Sequence, residues 1–233
     1  NFKELSIIIP LHNKEHTIED TVNTLIKSKL AENLQLLIIE NESTDNSLKV
    51  VNSLINKLEI NYDIELLSSL KGKGNAIRTG IPKIKYKWCF ITDADLPFGL
   101  SEIDEFFKDS NYDLYLGSKG HPNSKIKRKF TRILYSYIFY LFRKLFLKMD
   151  FLDPHGSIIV KSEYLKEIYP TLKQEGFFIG TEMVFLLDKL KIEILEIPIN
   201  LINDDPHTTV NPLKDGIKML RETVKLGFNN KDL

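Results

Sequence analysis

The sequence predicts an α/β fold in which helices flank a mostly parallel central sheet. Along the first hundred residues, short apolar runs rich in Ile and Leu alternate with segments whose apolar residues recur at helical spacing. Strand, helix, strand and helix in this order indicate a parallel sheet with crossover helices. Acidic or glycine-rich turns follow the strands. We expect these turns to meet at the carboxyl edge of the sheet, where open α/β folds bind ligands.

The first half of the chain contains four predicted strands. They are Leu5–Pro10, Leu34–Ile39, Ile64–Leu67 and Trp88–Thr92. Thr17, with Asp20 three residues later, is typical of a capped helix start. Apolar residues at helical spacing predict two helices, one through Ile18, Val22, Leu25 and Ile26 and the other through Leu48, Val51, Ile55 and Leu58. The loop Lys71–Gly74 leads into a third helix.

The second half continues this pattern around one unusual segment. Ser101 is the expected N-cap of a helix. Strands are predicted at Tyr112–Gly117, Ser157–Val160 and Ile192–Ile197, and helices at Ser162–Tyr169, at Thr181–Leu190 and from Pro212 onwards. The unusual segment, Lys125–Met149, is basic and aromatic, and Ile133–Phe142 within it carries no charge.

The stretch from Trp88 to Phe98 carries the clearest chemical signal. Its apolar residues end abruptly at Asp93 and Asp95, which are separated by one residue. Two carboxylates at the carboxyl end of a buried strand can hold a divalent cation against a diphosphate. The Asp-x-Asp spacing occurs often by chance, so its position after a strand is what gives it weight.

Composition restricts the possible partners. The 32 Lys and Arg residues balance the 32 Asp and Glu residues, so net charge gives no indication of nucleic-acid binding, and we expect no nucleic-acid partner. The single cysteine, Cys89, lies in an apolar strand, which fits a reducing compartment and core packing. No run approaches the roughly 18 apolar residues that span a bilayer. We therefore expect a protein that either is soluble or lies on a membrane surface.

Seven features in order carry a resemblance that covers roughly residues 5–226. They are I-I-I-P-L-H-N-K-E, I-I-E-N-E-S-T-D, K-G-K-G-N-A-I-R-T-G, D-A-D-L-P-F, a strand at Gly156, G-T-E and E-I-P-I. This order resembles the family 2 glycosyltransferases, which have the Rossmann-like GT-A fold. Within them the chain looks most similar to the synthases that attach glucose or mannose to polyprenyl or dolichyl phosphate.

The resemblance implies a set of residues that bind the nucleotide sugar. They are Pro10, Leu11, His12, Glu15, Glu40, Asn41, Gly74, Arg78, Asp93, Ala94 and Asp95. Two departures stand out. The turn Glu40–Ser43 reads Glu-Asn-Glu-Ser where the family has Asp-Asp-Gly-Ser, and Lys14 replaces the first Glu of Asn-Glu-Glu. A helix start rich in capping acids also explains the acidic turn. Likewise, the alternative interpretation of Lys71–Gly74 is a flexible, lysine-rich surface turn that binds no ligand.

The resemblance also implies a metal ion and a catalytic group. Asp95, with Asp93, is the expected ligand of Mg²⁺ or Mn²⁺. His207 stands in a loop where relatives carry a phosphate-binding lysine, and it is a further candidate metal ligand or a surface histidine. Asp153 and Glu182 match acidic positions near the acceptor and would serve as base for a hydroxyl acceptor. A charge at a helix start also explains Glu182.

The basic and aromatic segment predicts contact with an anionic membrane surface through residues 125–149. Eight Lys and Arg residues between Lys125 and Lys148 flank its apolar part, a pattern typical of helices that lie in the headgroup plane. A buried helix or a dimer interface is the alternative. Aromatic residues also suit RNA, but zero net charge and no recognisable RNA-binding module argue against it.

We therefore expect a single glycosyltransferase domain over residues 1–233. Residues 5–120 would bind the nucleotide sugar, 121–150 would form the interfacial helix and 151–233 would bind the acceptor. The expected reaction transfers a hexose from UDP- or GDP-hexose to a polyprenyl phosphate with inversion, at the cytoplasmic face of a membrane. Transfer to a saccharide or protein hydroxyl is one alternative. A nucleotide-sugar-binding module without turnover is the other.

Overall fold

The computed structural model describes residues 2–58, 62–126, 130–202 and 212–229, and within them it confirms the α/β architecture. The strands are β1 (Phe2–Leu11), β2 (Ala31–Glu40), β3 (Asp63–Ser68), β4 (Trp88–Ile91), β5 (Leu114–Ser118), β6 (Ile158–Lys161) and β7 (Ile194–Pro198). The helices are α1 (Ile18–Lys27), α2 (Ser47–Leu58), α3 (Lys73–Gly80), α4 (Ser101–Lys108), α5 (Phe130–Leu147), α6 (Ser162–Ile168), α7 (Ile179–Lys189) and α8 (Pro212–Asn229). Short 3₁₀ turns follow α3 and α6.

All these strands join one sheet in the order β3-β2-β1-β4-β6-β5-β7. Strand β6 runs antiparallel to β4 and β5, and every other pair is parallel. In the centre, Ile8 is aligned with Leu37 on one side and with Ile91 on the other. The carboxyl ends of β1, β2 and β4 therefore meet at one edge, as the sequence predicts.

Helices cover both faces of the sheet, which explains the uninterrupted apolar strands. Ile7, Ile8 and Ile9 are all fully buried. Ile8 faces the cluster that contains residues of α3, α6 and α7, whereas Ile7 and Ile9 face the cluster of α1, α2 and α4. A strand buried on both faces has no polar face, so its sequence does not alternate.

Strand β1 begins three residues earlier than the sequence predicts. Phe2 is buried, and its ring lies 4.4 Å from that of Phe106 and 6.3 Å from that of Trp88, measured between centroids. This aromatic cluster stabilises the polar start of the strand. Pairing with β4 ends at Ile8, two residues before Pro10, so proline is tolerated at the end of a central strand.

Helix α5 contains much of the basic and aromatic segment and packs against α8. A methyl group at Gly227 would lie only 2.5 Å from the carbonyl oxygen of Phe146, so the two helices are in close contact. Seven large apolar residues of α5 are exposed: Ile133, Leu134, Tyr135, Tyr137, Ile138, Leu141 and Leu145. Within the described residues, no helix combines the length and apolarity needed to cross a membrane.

Arg143 corrects one part of the interfacial-helix prediction. Its side chain is only 1% exposed, whereas Lys125, Lys144 and Lys148 are exposed. Its Nη2 atom donates hydrogen bonds to the carbonyl oxygens of Phe151 and Leu152, each at 3.0 Å, and its guanidinium lies over the ring of Phe139. Arg143 therefore anchors the segment that leads into Asp153.

Candidate active site

The loops after β1 and β2 are joined at the carboxyl edge of the sheet. His12 donates a hydrogen bond from Nδ1 to the carbonyl oxygen of Asn41 at 2.8 Å, and the Asn41 amide donates to Leu11. The Asn41 side chain in turn accepts a hydrogen bond from the Gly72 amide at 2.7 Å. Leu11 itself is fully buried and packs in the core, so it supports the loop and does not present a surface to a ligand.

Two of the predicted acidic residues hold these loops in place. Oε2 of Glu15 accepts hydrogen bonds from the amide and the side chain of Asn46, both at 2.8 Å, just before α2 begins. Oε1 of Glu40 accepts a hydrogen bond from the Ser43 amide at 2.5 Å. Glu40 therefore stabilises the turn itself, whereas the acid that caps α2 is Asp45, whose Oδ1 accepts a hydrogen bond from the Ser47 amide at 2.9 Å.

Asp93 and Asp95 lie side by side with lysines at the same edge. Lys73 Nζ is 2.5 Å from Asp93 Oδ1, and Lys14 Nζ is 2.6 Å from Asp95 Oδ2. The side chain of Asp93 is 42% exposed and that of Asp95 is 14% exposed. Between them, the carbonyl oxygen of buried Ala94 accepts a hydrogen bond from Thr21 at 2.9 Å, which fixes the loop to α1.

The surrounding lysines control the charge of Asp93. Desolvation alone would raise the pKa of this carboxyl group, but the positive charges of Lys73, Lys119 and Lys14 outweigh it. The pKa of Asp93 is therefore lowered, and the group is ionised at neutral pH. An ionised carboxylate is the form that binds a cation.

The donor atoms at this edge fit Mg²⁺ or Mn²⁺ bound together with a nucleotide. Both ions prefer oxygen ligands, and Mg²⁺ is usually bound by one or two carboxylates together with substrate phosphates. Asp93 and Asp95 supply the two carboxylates. Within the described residues, no group of three or more His, Cys, Asp or Glu side chains could hold a metal ion. Diphosphate oxygens and water would have to complete the coordination. His207 lies outside the described residues.

The glycine loop before α3 has a different neighbour from the one expected. The resemblance implies that Gly74 binds the nucleotide sugar, which would bring a ligand close to this loop. In the structure a protein segment makes this approach, because the amides of Gly74 and Asn75 donate to the carbonyl oxygen of Glu175 at 2.8 and 3.1 Å. A methyl group at Gly74 would lie 2.1 Å from the carbonyl oxygen of Gln174. Glycine is required here for backbone packing.

Glu182 holds the segment at residues 173–175 in place. It is buried at the start of α7, and its carboxylate accepts hydrogen bonds from the amides of Lys173 and Gln174 at 2.9–3.1 Å. Burial raises the pKa of Glu182, while these hydrogen bonds and the nearby charge of Arg78 oppose the rise. Arg78 Nε is buried and has no hydrogen-bond partner among the described residues.

A cavity of about 330 Å³ opens beside Asp93. Its charged residues are Lys73, Asp93 and Lys119, and its other polar residues are Thr92, His155 and Ser157. Its apolar walls come from Ile77, Ile91, Ile158, Phe177, Ile179, Met183 and Met219. The cavity therefore has a charged end at the Asp-x-Asp loop and an apolar body that reaches α7 and α8.

His155 lines this cavity, and Asp153 lies two residues before it in the chain. Asp153 Oδ2 is 3.3 Å from Lys119 Nζ, and its Oδ1 accepts a hydrogen bond from the His155 amide at 3.1 Å. Desolvation would raise the pKa of Asp153, but Lys119 and His155 lower it. Burial lowers the pKa of His155 to about 3, and His155 Nε2 lies 3.1 Å from the Thr181 hydroxyl. Asp153 is therefore charged and His155 neutral at neutral pH.

Sequence reasoning found the acidic residues of this site and missed most of the basic ones. Lys73 and Lys119 were not among the predicted site residues, although Lys73 lies between two glycines and Lys119 follows β5 directly. Both lysines follow a strand that ends at the ligand-binding edge, Lys119 directly and Lys73 after a short loop. That placement is the signal by which the sequence could have identified them.

The chain is similar to known glycosyltransferases in sequence and in fold. The model of the family "Glycosyl transferase family 2" matches residues 6–168. The dolichyl-phosphate beta-glucosyltransferase of Dictyostelium discoideum is 27% identical, over 96% of this chain and 74% of its own length. The enzyme of the same name from Saccharomyces cerevisiae is 26% identical, over 94% and 73%.

Solved structures share the fold. Glucosyl-3-phosphoglycerate synthase from Mycobacterium tuberculosis, in complex with UDP, matches with a TM-score of 0.65 and 16% identity, over 97% of this chain and 79% of that one. The same enzyme with Mn²⁺, UDP and phosphoglyceric acid matches with a TM-score of 0.66 and 15% identity, over 96% and 77%. With the family model covering most of the chain, this protein belongs to glycosyltransferase family 2 and has the GT-A fold.

Proposed function

We propose that this protein transfers a hexose from a nucleoside diphosphate sugar to a polyprenyl phosphate, with inversion at the anomeric carbon. The observation that carries the proposal is the cavity beside Asp93. Lysines lie at its charged end and apolar side chains line its body. A polyprenyl phosphate has the same two parts, an anionic head and an apolar chain. The two dolichyl-phosphate glucosyltransferases that align along nearly the whole chain support the same acceptor class.

The donor would bind where the loops after β1, β2 and β4 meet. Asp95 and Asp93 would hold Mg²⁺ or Mn²⁺, which offsets the negative charge on the departing nucleoside diphosphate. Lys73 supplies a fixed positive charge at the same place. His12 and Asn41, held together by a hydrogen bond, would line the base and ribose. Structural relatives that bind UDP, with and without Mn²⁺, support this arrangement.

The acceptor phosphate would lie near Lys119. A phosphate monoester is already anionic at neutral pH, so its oxygen attacks without a strong general base. Catalysis then depends on positioning and on stabilising the leaving group. The site agrees with this demand, because Glu182 is engaged with backbone amides and Lys119 lowers the pKa of Asp153. A low pKa makes Asp153 a weak base, which disfavours a hydroxyl acceptor.

Helix α5 would place the enzyme on an anionic membrane surface. It exposes more large apolar side chains than is usual for a helix surface that faces only water. Exposed Lys125 and Lys148 lie at either end of the helical segment, where they would meet lipid headgroups. Phe139 of α5 stacks against His155 at the cavity, with ring centroids 5.8 Å apart. A lipid phosphate at the membrane surface would thus lie near the cavity.

The release of nucleoside diphosphate tests this proposal. Purified protein would be offered UDP- and GDP-hexoses with Mg²⁺ or Mn²⁺, with and without a polyprenyl phosphate in vesicles. We expect one donor to be consumed rapidly only when the polyprenyl phosphate is present. Asp95→Asn, which keeps nearly the same shape, should lower turnover by orders of magnitude. Equal release without acceptor, or transfer only to a soluble sugar, would contradict the proposal.

A further inference from the structure

The two carboxylates of the Asp-x-Asp loop each hold a lysine ammonium group. Lys14 Nζ lies 2.6 Å from Asp95 Oδ2, and the two side chains are 22% and 14% exposed. Lys73 makes the corresponding contact with Asp93. Hydrogen-bonded ion pairs in such partly buried positions are stronger than those on the open surface.

The fold places Lys14 in this position. Its amide donates a hydrogen bond to the Ser47 hydroxyl at 2.7 Å, and its carbonyl oxygen accepts from the amides of Thr17 and Ile18 at 3.1 and 3.0 Å. The backbone of Lys14 is thus fixed between the starts of α1 and α2. Its side chain spans from there to a carboxylate 81 positions further along the chain.

We propose that Lys14 makes divalent cation binding depend on donor binding. This inference rests on the proposed function, because it takes Asp95 as a metal ligand. An ammonium group and a divalent cation compete for the same carboxylate, so Lys14 weakens metal binding by the free protein. A donor diphosphate offers Lys14 another anionic partner and releases Asp95 for the metal. By linkage, the nucleotide and the metal then strengthen each other's binding by the same factor.

Mn²⁺ binding in the absence of turnover tests the coupling. The free Mn²⁺ signal in electron paramagnetic resonance measures the affinity of the wild type and of Lys14→Gln, each with and without UDP or GDP. We expect the wild type to bind Mn²⁺ weakly alone and more tightly with nucleotide. Lys14→Gln should bind Mn²⁺ alone about tenfold more tightly, the effect of losing one competing charge-assisted hydrogen bond. Its gain on adding nucleotide should shrink accordingly.

Two further variants serve as controls. Lys85 forms ion pairs with Asp63 and Glu65 at the opposite end of the strands, so Lys85→Gln removes a lysine without touching the site. We expect its Mn²⁺ affinity to equal that of the wild type. Adding Asp95→Asn to Lys14→Gln should abolish the tighter binding. Circular dichroism spectra would verify that each variant is folded.

The outcomes separate the inference from the function it rests on. If the wild type binds nucleotide with Mn²⁺ but Lys14→Gln has unchanged Mn²⁺ affinity, the inference is wrong and the proposed function stands. If Lys85→Gln gains affinity as much as Lys14→Gln does, the effect is one of total charge, and the inference is again wrong. A wild type that binds neither UDP nor GDP at any Mn²⁺ concentration would overturn both.

Discussion

Three residues in the loops of the active-site edge have a left-handed backbone conformation without being glycine. They are Asn13 (φ 52°), Glu42 (φ 52°) and Leu96 (φ 43°). This conformation costs free energy in a residue other than glycine, and such strained residues are concentrated at functional sites. Glu42 is the clearest case, because it is exposed and stands where the family has glycine.

Replacing Glu42 by glycine should stabilise the protein. Glycine adopts a positive φ without strain, although it also increases the entropy of the unfolded chain. The net effect expected is a gain of about 0.5–1 kcal/mol in the free energy of unfolding, measured by urea denaturation. Lys29→Gly is the matched control, because Lys29 is exposed, has φ 49° and lies far from the site. A loss of stability in Glu42→Gly alongside a gain in Lys29→Gly would contradict the prediction.

His155 should make stability sensitive to acid. Burial lowers its pKa from 6.5 to about 3; Asp153 opposes this shift, and Arg143, Lys119 and Lys73 add to it. Unfolding below pH 6.5 therefore takes up a proton that the folded protein does not bind. Stability from this residue is present above pH 6.5 and is lost as the pH falls toward 3. The slope is at most about 1.4 kcal/mol per pH unit.

Denaturation between pH 7 and pH 4 measures this slope. His155→Gln, which cannot titrate, should lose stability less steeply than the wild type as the pH falls. His16→Gln is the control for replacing a histidine, because the His16 side chain is 89% exposed. Identical pH dependence in the wild type and in His155→Gln would show that carboxylates alone govern the acid response.

Single residues also show where sequence reasoning reaches its limit. Asp93 and Asp95 were identifiable because an apolar strand ends directly before them. Their lysine partners were not, since Lys14 meets Asp95 across 81 positions of the chain and only the folded sheet brings them together. Glu182 was identified as an acidic residue at a helix start, but its contacts with Lys173 and Gln174 depend on a loop whose path no local pattern predicts.

At the scale of elements, the exposed apolar residues of helix α5 lead to a prediction about membrane binding. Leu141 on α5 is 45% exposed, so burying the exposed part of its side chain in the membrane interface contributes about 1 kcal/mol, and a glutamate there would also be repelled by anionic lipid. Leu141→Glu should therefore weaken binding to anionic vesicles about tenfold or more, as measured by vesicle sedimentation. Leu48 on α2, on the other face of the sheet, is 43% exposed, so Leu48→Glu is the matched control.

Equal effects of the two substitutions would mean that added negative charge, and not α5, weakens vesicle binding. Binding that ignores both substitutions would remove α5 from the proposed membrane contact. Raising the salt concentration should weaken wild-type binding, because salt screens the electrostatic attraction between the lysines and the anionic headgroups.

The elements themselves were largely predictable. Buried strands such as β1 and β2 stand out as apolar runs, and helices α1 and α2 show clear helical spacing. The direction of β6 was not predictable, because a short apolar strand carries no mark of whether its neighbours are parallel. Helix α5 was recognised, but the inward turn of Arg143 depends on carbonyl groups from the following segment.

At the scale of the whole molecule, the site draws on both halves of the chain. The edge that carries the Asp-x-Asp loop comes from the loops after β1, β2 and β4, whereas the cavity walls include residues of α7 and α8. The segment at residues 174–175 crosses between them and packs on the start of α3. The family pattern at residues 6–168 therefore includes the acidic loop but leaves out part of the cavity.

The antiparallel pairing of β4 with β6 also has a consequence for synthesis of the protein. Its two strands are separated by roughly 70 residues of chain. At about 5–20 residues per second, β6 leaves the ribosome about 4–14 s after β4. During that interval β1, β2 and β3 can already pair, while the apolar β4 has an open edge. Such edges invite pairing with other nascent chains. The growing polypeptide is therefore most exposed to aggregation before residue 158 emerges, and this is the stage at which a chaperone would protect it.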